Sequence, residues 1–238
     1  MYCGAECQRA HWGEHRKVCK SVGKAKFERW KARAESGDPV MMYNVGGCYR
    51  NGTGTSIDLK ATFEWYLRAA EAGFPLAQFN VGACFSTGKG TTKDDRACFK
   101  WYLRAAEAGY LDAQFNVGCF YRDGEGVDAD PRAAFRWFSR AAEAGHVGAM
   151  VGLGVCFEKG TGVSADTHSA VKWFRRAADA CDSMAQSNLG VCYLNGIGVA
   201  RDCDEALRLF DLAAAGGDAD AAENARNLRT TLRGRAPE

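Results

Sequence analysis

The chain has 238 residues, 47% hydrophobic and 25% charged, with a formal net charge of +2, an ordinary balance for a soluble globular protein. No apolar run approaches the ~20 residues needed to cross a bilayer, and Met1 is followed by cysteines and basic residues instead of an apolar leader. Residues 1–33 hold nine Lys/Arg against three Asp/Glu; a short lysine-rich helix is more often a solvated face than a nucleic-acid contact, so nucleic acid is kept only as the alternative partner.

In chain order, residues 1–20 come first and carry the candidate metal ligands. Cys3, Cys7, His15 and Cys19 fall as two pairs, each four residues apart. Residues at that spacing share one face of a helical turn, and thiolates with an imidazole suit tetrahedral zinc. Free thiols beside an incidental histidine are the competing reading. Residues 24–37 then read as a lead-in helix, with Phe27, Trp30 and Ala34 on one face.

From residue 38 the chain repeats every 36 residues: 38–73, 74–109, 110–145, 146–181 and 182–217. A fixed period in this range marks stacked helical units, each unable to bury its apolar face alone. The first half of each unit predicts a helix, in the second copy from about residue 75 to 87, closed by Gly88. The aspartates Asp58, Asp94, Asp130, Asp166 and Asp202 fall in one slot just before the second helical pattern and read as N-caps. A row of catalytic or metal-binding carboxylates is the alternative, but side chains one repeat apart cannot converge on one ion.

The second helix carries the phrase Trp65 to Gly73, which returns as Trp101 to Gly109 and Trp137 to Gly145. Its Trp, the aromatic that follows and its paired alanines read as core. Its Arg and Glu, as in Arg68/Glu71, Arg104/Glu107 and Arg140/Glu143, are spaced for surface ion pairs. Glycines recur inside the first helix at Gly46, Gly82, Gly118, Gly154 and Gly190. Each costs roughly 1 kcal/mol of helix propensity against alanine, so their recurrence predicts a helix crossing that a side chain would block. Residues 218–238 begin a sixth unit, turn polar and arginine-rich, and read as a C-terminal capping helix and tail.

The pattern Ala-x-x-x-Asn-Val-Gly-x-Cys-Phe/Tyr, Gly-x-Gly, Asp, then Ala-x-x-Trp-Tyr/Phe-x-x-Ala-Ala-Glu-Ala-Gly resembles the Sel-one-like repeat, a relative of the tetratricopeptide repeat. The resemblance covers residues 38–217. It implies an all-α fold, a right-handed α/α solenoid of helix pairs that gathers protein partners, and it supplies no catalytic residues. The N-terminal stretch resembles the C-terminal half of a MYND-type zinc finger through Tyr2, Cys3, Cys7, Gln8, Trp12, His15 and Cys19, with His11 where that family usually has aspartate. A whole finger of that family holds two zinc ions with eight ligands in interleaved pairs. By that resemblance Cys3/Cys7 would serve one ion and His15/Cys19 the other, each needing an upstream cysteine pair that does not precede Cys3 here. The segment is then either an incomplete finger or a site in which the four ligands close around a single structural zinc.

The resulting expectation is a non-enzymatic adaptor that binds a protein or peptide in the solenoid groove, with zinc at its N-terminal finger and no small-molecule substrate. Positions that change between copies are the candidate partner contacts: Phe74, Tyr110 and His146 at the start of the first helix, and Gln78, Gln114, Met150 and Gln186 one turn on. A hydrolase is the remote alternative, since His146 and His168 have no recurring nucleophile partner. Cys48, Cys84, Cys156 and Cys192 share one repeat slot with Phe120 and so read as small buried hydrophobes. The other cysteines form no recurring bridge pattern, which points to a reducing intracellular compartment, cytoplasmic or nuclear.

Overall fold

The computed structural model describes the backbone of residues 12–233 and the side chains of residues 23–232. Every regular element in that range is a helix. The chain divides into two units, Met1–Tyr110 and Leu111–Glu238. The first contains α1 (Trp12–Glu35), α2 (Pro39–Asn51), α3 (Leu59–Glu71), α4 (Pro75–Thr87) and α5 (Asp95–Glu107). The second contains α6 (Leu111–Asp123), α7 (Pro131–Glu143), α8 (Val147–Lys159), α9 (Thr167–Asp179), α10 (Ser183–Asn195), α11 (Cys203–Ala215) and α12 (Ala219–Arg233). The fold class is the one the repeat implies, an all-α solenoid fold of stacked helix pairs. No described helix is long and apolar enough to cross a membrane.

The boundaries follow from the local chemistry. The aspartate of each linker holds an extended backbone and accepts N–H groups from the first turn of the following helix; Ala61 N–H donates to Asp58 and Ala97 N–H to Asp94, both at 2.9 Å. The same residue's own N–H donates back to the preceding helix, as Asp94 does to the Phe85 carbonyl at 3.1 Å and Asp166 to the Phe157 carbonyl at 2.8 Å. One residue therefore starts the second helix and ties it to the first. At Gly88 the backbone turns left-handed (φ 69°) and its N–H reaches the Cys84 carbonyl, closing α4 where the sequence placed the stop.

Packing within a pair is set by a glycine facing an aromatic ring. A Cβ on Gly46 would lie 2.6 Å from the Tyr66 ring; on Gly118, 2.6 Å from Phe138; on Gly154, 2.5 Å from Phe174; on Gly190, 2.7 Å from Phe210. The expected tight crossing is real, and its partner is the residue after the Trp. Phe138, Phe174 and Phe210 are fully buried there, each burial stabilising by about 2–3 kcal/mol. Between successive pairs the second linker glycine does the seating. A side chain at Gly90 would strike the Leu59 carbonyl at the start of α3, and one at Gly162 the Pro131 carbonyl at the start of α7.

Two local expectations change. Trp65 is buried in the first unit's core as expected, whereas Trp101, Trp137 and Trp173 stand half-buried at the core's edge, and each of the four carries an arginine guanidinium over its ring. Arg68 lies 4.3 Å from the Trp65 centroid, Arg104 4.6 Å from Trp101, Arg140 5.5 Å from Trp137 and Arg176 4.4 Å from Trp173. The arginine has two neighbours at a spacing of three, the Trp before it and a carboxylate after it (Glu71, Glu107, Glu143 or Asp179), and it takes the Trp. A stack over a half-buried ring gains dispersion as well as charge–quadrupole attraction, whereas an exposed ion pair gains little. The lead-in helix is also longer than expected, starting at Trp12 and running through Gly23. Gly23 is where α1 meets the first linker, since a Cβ on Gly54 would strike its carbonyl. The rest of α1 seats Phe27 and Ala34 in the first unit's core, so it packs as the second helix of a repeat does.

Candidate functional site

The first helices of the second unit carry a groove lined mostly by apolar side chains. α8 lies at its floor and departs from its counterparts at three positions. Residue 148 is glycine where the other copies have Val40, Leu76, Asp112 and Met184. Residue 151 is valine where they have Tyr43, Phe79, Phe115 and Ser187, and residue 152 is glycine where all four have asparagine, Asn44, Asn80, Asn116 and Asn188. Positions 148, 151 and 152 are spaced three and four apart, so they share one face of α8 and cut it down together. None of the three losses is needed for the glycine–aromatic seam, which runs through Gly154.

The consequence is a cavity of about 490 Å³, within the size range of binding clefts. α6 supplies Phe115, Cys119 and Arg122 as one wall, α8 supplies Gly148, Val151, Gly152 and Val155 as the floor, and Met184 at the start of α10 forms the opposite lip. In the first unit the matching face of α4 keeps its side chains: Phe79 packs 5.1 Å from the Tyr102 ring and 4.9 Å from the Tyr110 ring, and the equivalent cavity, lined by Asn80, Ala83 and Cys84, is smaller at about 380 Å³. Met184 is 63% exposed, one of few large apolar side chains left in solvent. The lining is mostly carbon, with charge only at the rim. Arg122 is held by a two-point contact to Asp123, both bonds at 2.7 Å, which keeps the Asp123 carboxyl below its usual range. Asp182 is occupied by the Ala185 N–H, leaving Lys159 as the rim charge with no ion pair among the described residues.

The thiols in and near this groove are quiet. Burial raises the pKa of Cys119 and Cys156, and in the same slot of other copies that of Cys48, Cys84 and Cys192, the last to about 11. A thiol shifted that way is a poor nucleophile at neutral pH. All eight described cysteines are unbridged. Among the described residues no three His, Cys, Asp or Glu side chains gather as metal ligands would.

The partner contacts expected from copy-to-copy variation are mostly taken up by the fold. Gln78, Gln114, Met150 and Gln186 are buried. Gln78 Nε2 donates to the Ala70 carbonyl at 3.3 Å and Gln186 Nε2 to the Ala178 carbonyl at 3.5 Å, so these amides join one helix pair to the next. Their polarity suggested surface, but their acceptors are carbonyls in the last turn of a helix, which take one N–H from the closing turn (Gly73 and Cys181) and have a second lone pair for the amide. Phe74 and Tyr110 sit at the starts of α4 and α6 and pack on Tyr43 (5.5 Å) and Phe79 (4.9 Å). His146 caps α8: its Nδ1 accepts the Ala149 N–H at 3.0 Å, its Nε2 is 3.4 Å from Asp112, and its ring stacks on Phe115 at 4.8 Å. That places His146 behind the groove wall. Gly148, Val151, Gly152 and Met184 were missed. The available signal was a deletion, an asparagine present in four copies and absent from one.

Of the expected zinc ligands, Cys3 and Cys7 lie outside the described residues. His15 and Cys19 fall within α1, one turn apart, a register that puts them on one face of a continuous helix. That register fits a pair of donors to one tetrahedral ion.

With this geometry in place, comparisons with known proteins can be stated. The profile of the Sel1 repeat matches residues 39–74, 75–110, 111–146, 147–180 and 183–218, and that of the MYND finger matches residues 1–19. The solved structure of a Sel1 repeat protein from Oxalobacter formigenes is similar, with 36% identity over 77% of this chain and 75% of that one and a TM-score of 0.71. So is c5321, a protective antigen of uropathogenic Escherichia coli strains, at 30% identity over 84% of this chain and 50% of that one, with a TM-score of 0.62. A putative Sel1 repeat protein from Klebsiella pneumoniae shares the fold at 17% identity, with a TM-score of 0.50 over 85% of this chain and 99% of that one. No curated protein matches the chain by sequence.

Proposed function

The chain belongs to the Sel1 repeat family, and from that premise we propose that it is a non-enzymatic adaptor whose second unit binds an apolar segment of a protein partner. Sel1 repeat proteins are generally protein-interaction scaffolds. The observation that carries the proposal for this chain is the face of α8 stripped at 148, 151 and 152. An apolar trough about 490 Å³ in volume accepts one or two large side chains of an extended or helical peptide. The raised thiol pKa values support a binding role over a nucleophilic one.

A display selection of random peptides on the full chain tests the reading. Enriched sequences should carry a large aliphatic or aromatic anchor, and Met184→Glu should weaken them at least tenfold, since an exposed lip residue can be exchanged without disturbing the core. Retained affinity in Met184→Glu would move the site elsewhere.

We propose further that Cys3, Cys7, His15 and Cys19 hold one structural zinc. The MYND match over residues 1–19 and the shared face of His15 and Cys19 on α1 support this. Bound there, the ion would supply folding energy to the segment rather than chemistry. Metal analysis of protein purified under reducing conditions should return about one zinc per chain, lost in Cys19→Ser. A metal-free protein that binds no added zinc would reject it.

A further inference from the structure

The first unit carries a second cavity of different character. It measures about 380 Å³ and lies between α3 and α4, with Arg50 of α2 and Lys89 of the next linker at its rim. Among the described residues no acidic side chain lines it. Neither cation has an ion pair among the described residues, and Arg50 makes only a long contact (3.4 Å) with the Asn51 side chain. The two cations meet in this copy alone. The slot of Arg50 holds Ser86, Arg122, Glu158 and Leu194 elsewhere, and that of Lys89 holds Thr53, Glu125, Thr161 and Ile197.

The wall of this cavity contains Tyr66, a buried side chain whose hydroxyl has no hydrogen-bond partner among the described residues. An unpaired buried hydroxyl costs about 1–3 kcal/mol, and packing does not require it. Phe138, Phe174 and Phe210 fill the same slot against the same glycine without one. Arg50 and Cys84, both lining residues, are close enough to act electrostatically on the Tyr66 hydroxyl. Burial drives its pKa to about 12, so it stays a proton donor at neutral pH. A polar group retained at a cost, beside two cations that have no ion pair among the described residues, is the signature of a ligand outside the fold.

We propose that this cavity binds a carboxylate on a short apolar stem, presented by a peptide partner, with Tyr66 as the buried donor and Arg50 and Lys89 as the charged rim. A carboxylate suits the site better than a phosphate. The apolar part of the wall, Leu59, Ala83 and Cys84, accommodates a stem. The start of α3 beside it is already capped by Asp58, whose charge opposes a dianion and whose side chain occupies the Ala61 N–H.

The test uses the full chain on an array of random hexapeptides printed with free or amidated C-termini, and with Glu or Gln at each position. Acid peptides should be retained over their neutral counterparts. Loss on amidation assigns the terminal carboxylate, and loss on Glu-to-Gln exchange assigns a side chain; either supports the proposal. Tyr66→Phe should raise its melting temperature, because the unpaired hydroxyl is removed, and lose about tenfold in acid-dependent retention. Arg50→Ala and Lys89→Ala should lose retention and its salt sensitivity. Equal retention of acid and neutral peptides, an unaffected Tyr66→Phe, or displacement by inorganic phosphate beyond that by chloride at equal ionic strength would each overturn it. Gly152→Asn, in the other unit, should not change this retention, so the two sites fail independently.

Discussion

On α8, Gly154 and Gly152 stand two residues apart and face different sides of one helix. A Cβ on Gly154 would lie 2.5 Å from the Phe174 ring, inside any tolerable contact, and every copy has glycine there. A Cβ on Gly152 would meet the Phe138 ring at 3.3 Å, close but accommodated by a shift of a few tenths of an ångström, and every other copy has asparagine there. The first glycine belongs to the packing shared by all copies. The second belongs to the copy whose groove face is stripped of side chains. In a chain of near-identical units, what recurs builds the fold and what departs marks the candidate site.

That contrast can be broken most strongly at its packed side. Phe174→Ala empties a fully buried slot and should cost about 3–5 kcal/mol, read as a large fall in denaturation midpoint. Gly154→Ala pushes a methyl into the same ring and should cost about 1–3 kcal/mol despite its better helix propensity. A neutral result would mean that the helices separate easily and that the seam does not set their spacing.

A third substitution sharpens the comparison from the opposite direction. Cys181 holds φ 62° in a slot where the other copies have glycine, and a Cβ at those glycines meets nothing within 4 Å. Its strain is therefore backbone strain alone, and Cys181→Gly should stabilise by about 1 kcal/mol, or roughly 2–4 °C in melting temperature. An unchanged or lowered midpoint would contradict this.

The smallest effect is in alkaline stability. Burial raises the Cys192 thiol from 9.0 to about 11, so the folded state favours the protonated form. Its contribution is complete below pH 9 and is lost as the pH rises through about 11. Melting temperature should fall across that window, and less steeply in Cys192→Ala. Identical slopes would mean the thiol is not desolvated.

Much of the fold was legible because its determinants are local and repeated. The aspartate caps, the Gly88 stop and the glycine row each appear five times with one physical reason. What was not legible involves a choice between neighbours or a loss of side chain. Arg104 could pair with Glu107 or cover Trp101, and only the half-buried position of the ring decides it. Gln78 and Gln186 look like surface residues until the carbonyls of Ala70 and Ala178 are found above them. His146 varies between copies because several side chains can start a helix, and it caps α8. The groove itself was written as an absence, the missing asparagine at 152, which attention to chemistry-bearing residues passes over.

The central claim is that the stripped face of α8 is the partner site. It is tested most directly by measuring, by calorimetric titration, the affinity of a peptide selected on the native chain for that chain and for Gly152→Asn. Restoring the common residue should leave stability within about 1 kcal/mol, because regained helix propensity offsets the slight crowding of Phe138. The account predicts that the restored chain, equally well folded, binds the peptide at least tenfold more weakly. Unchanged affinity in a folded Gly152→Asn chain would contradict it.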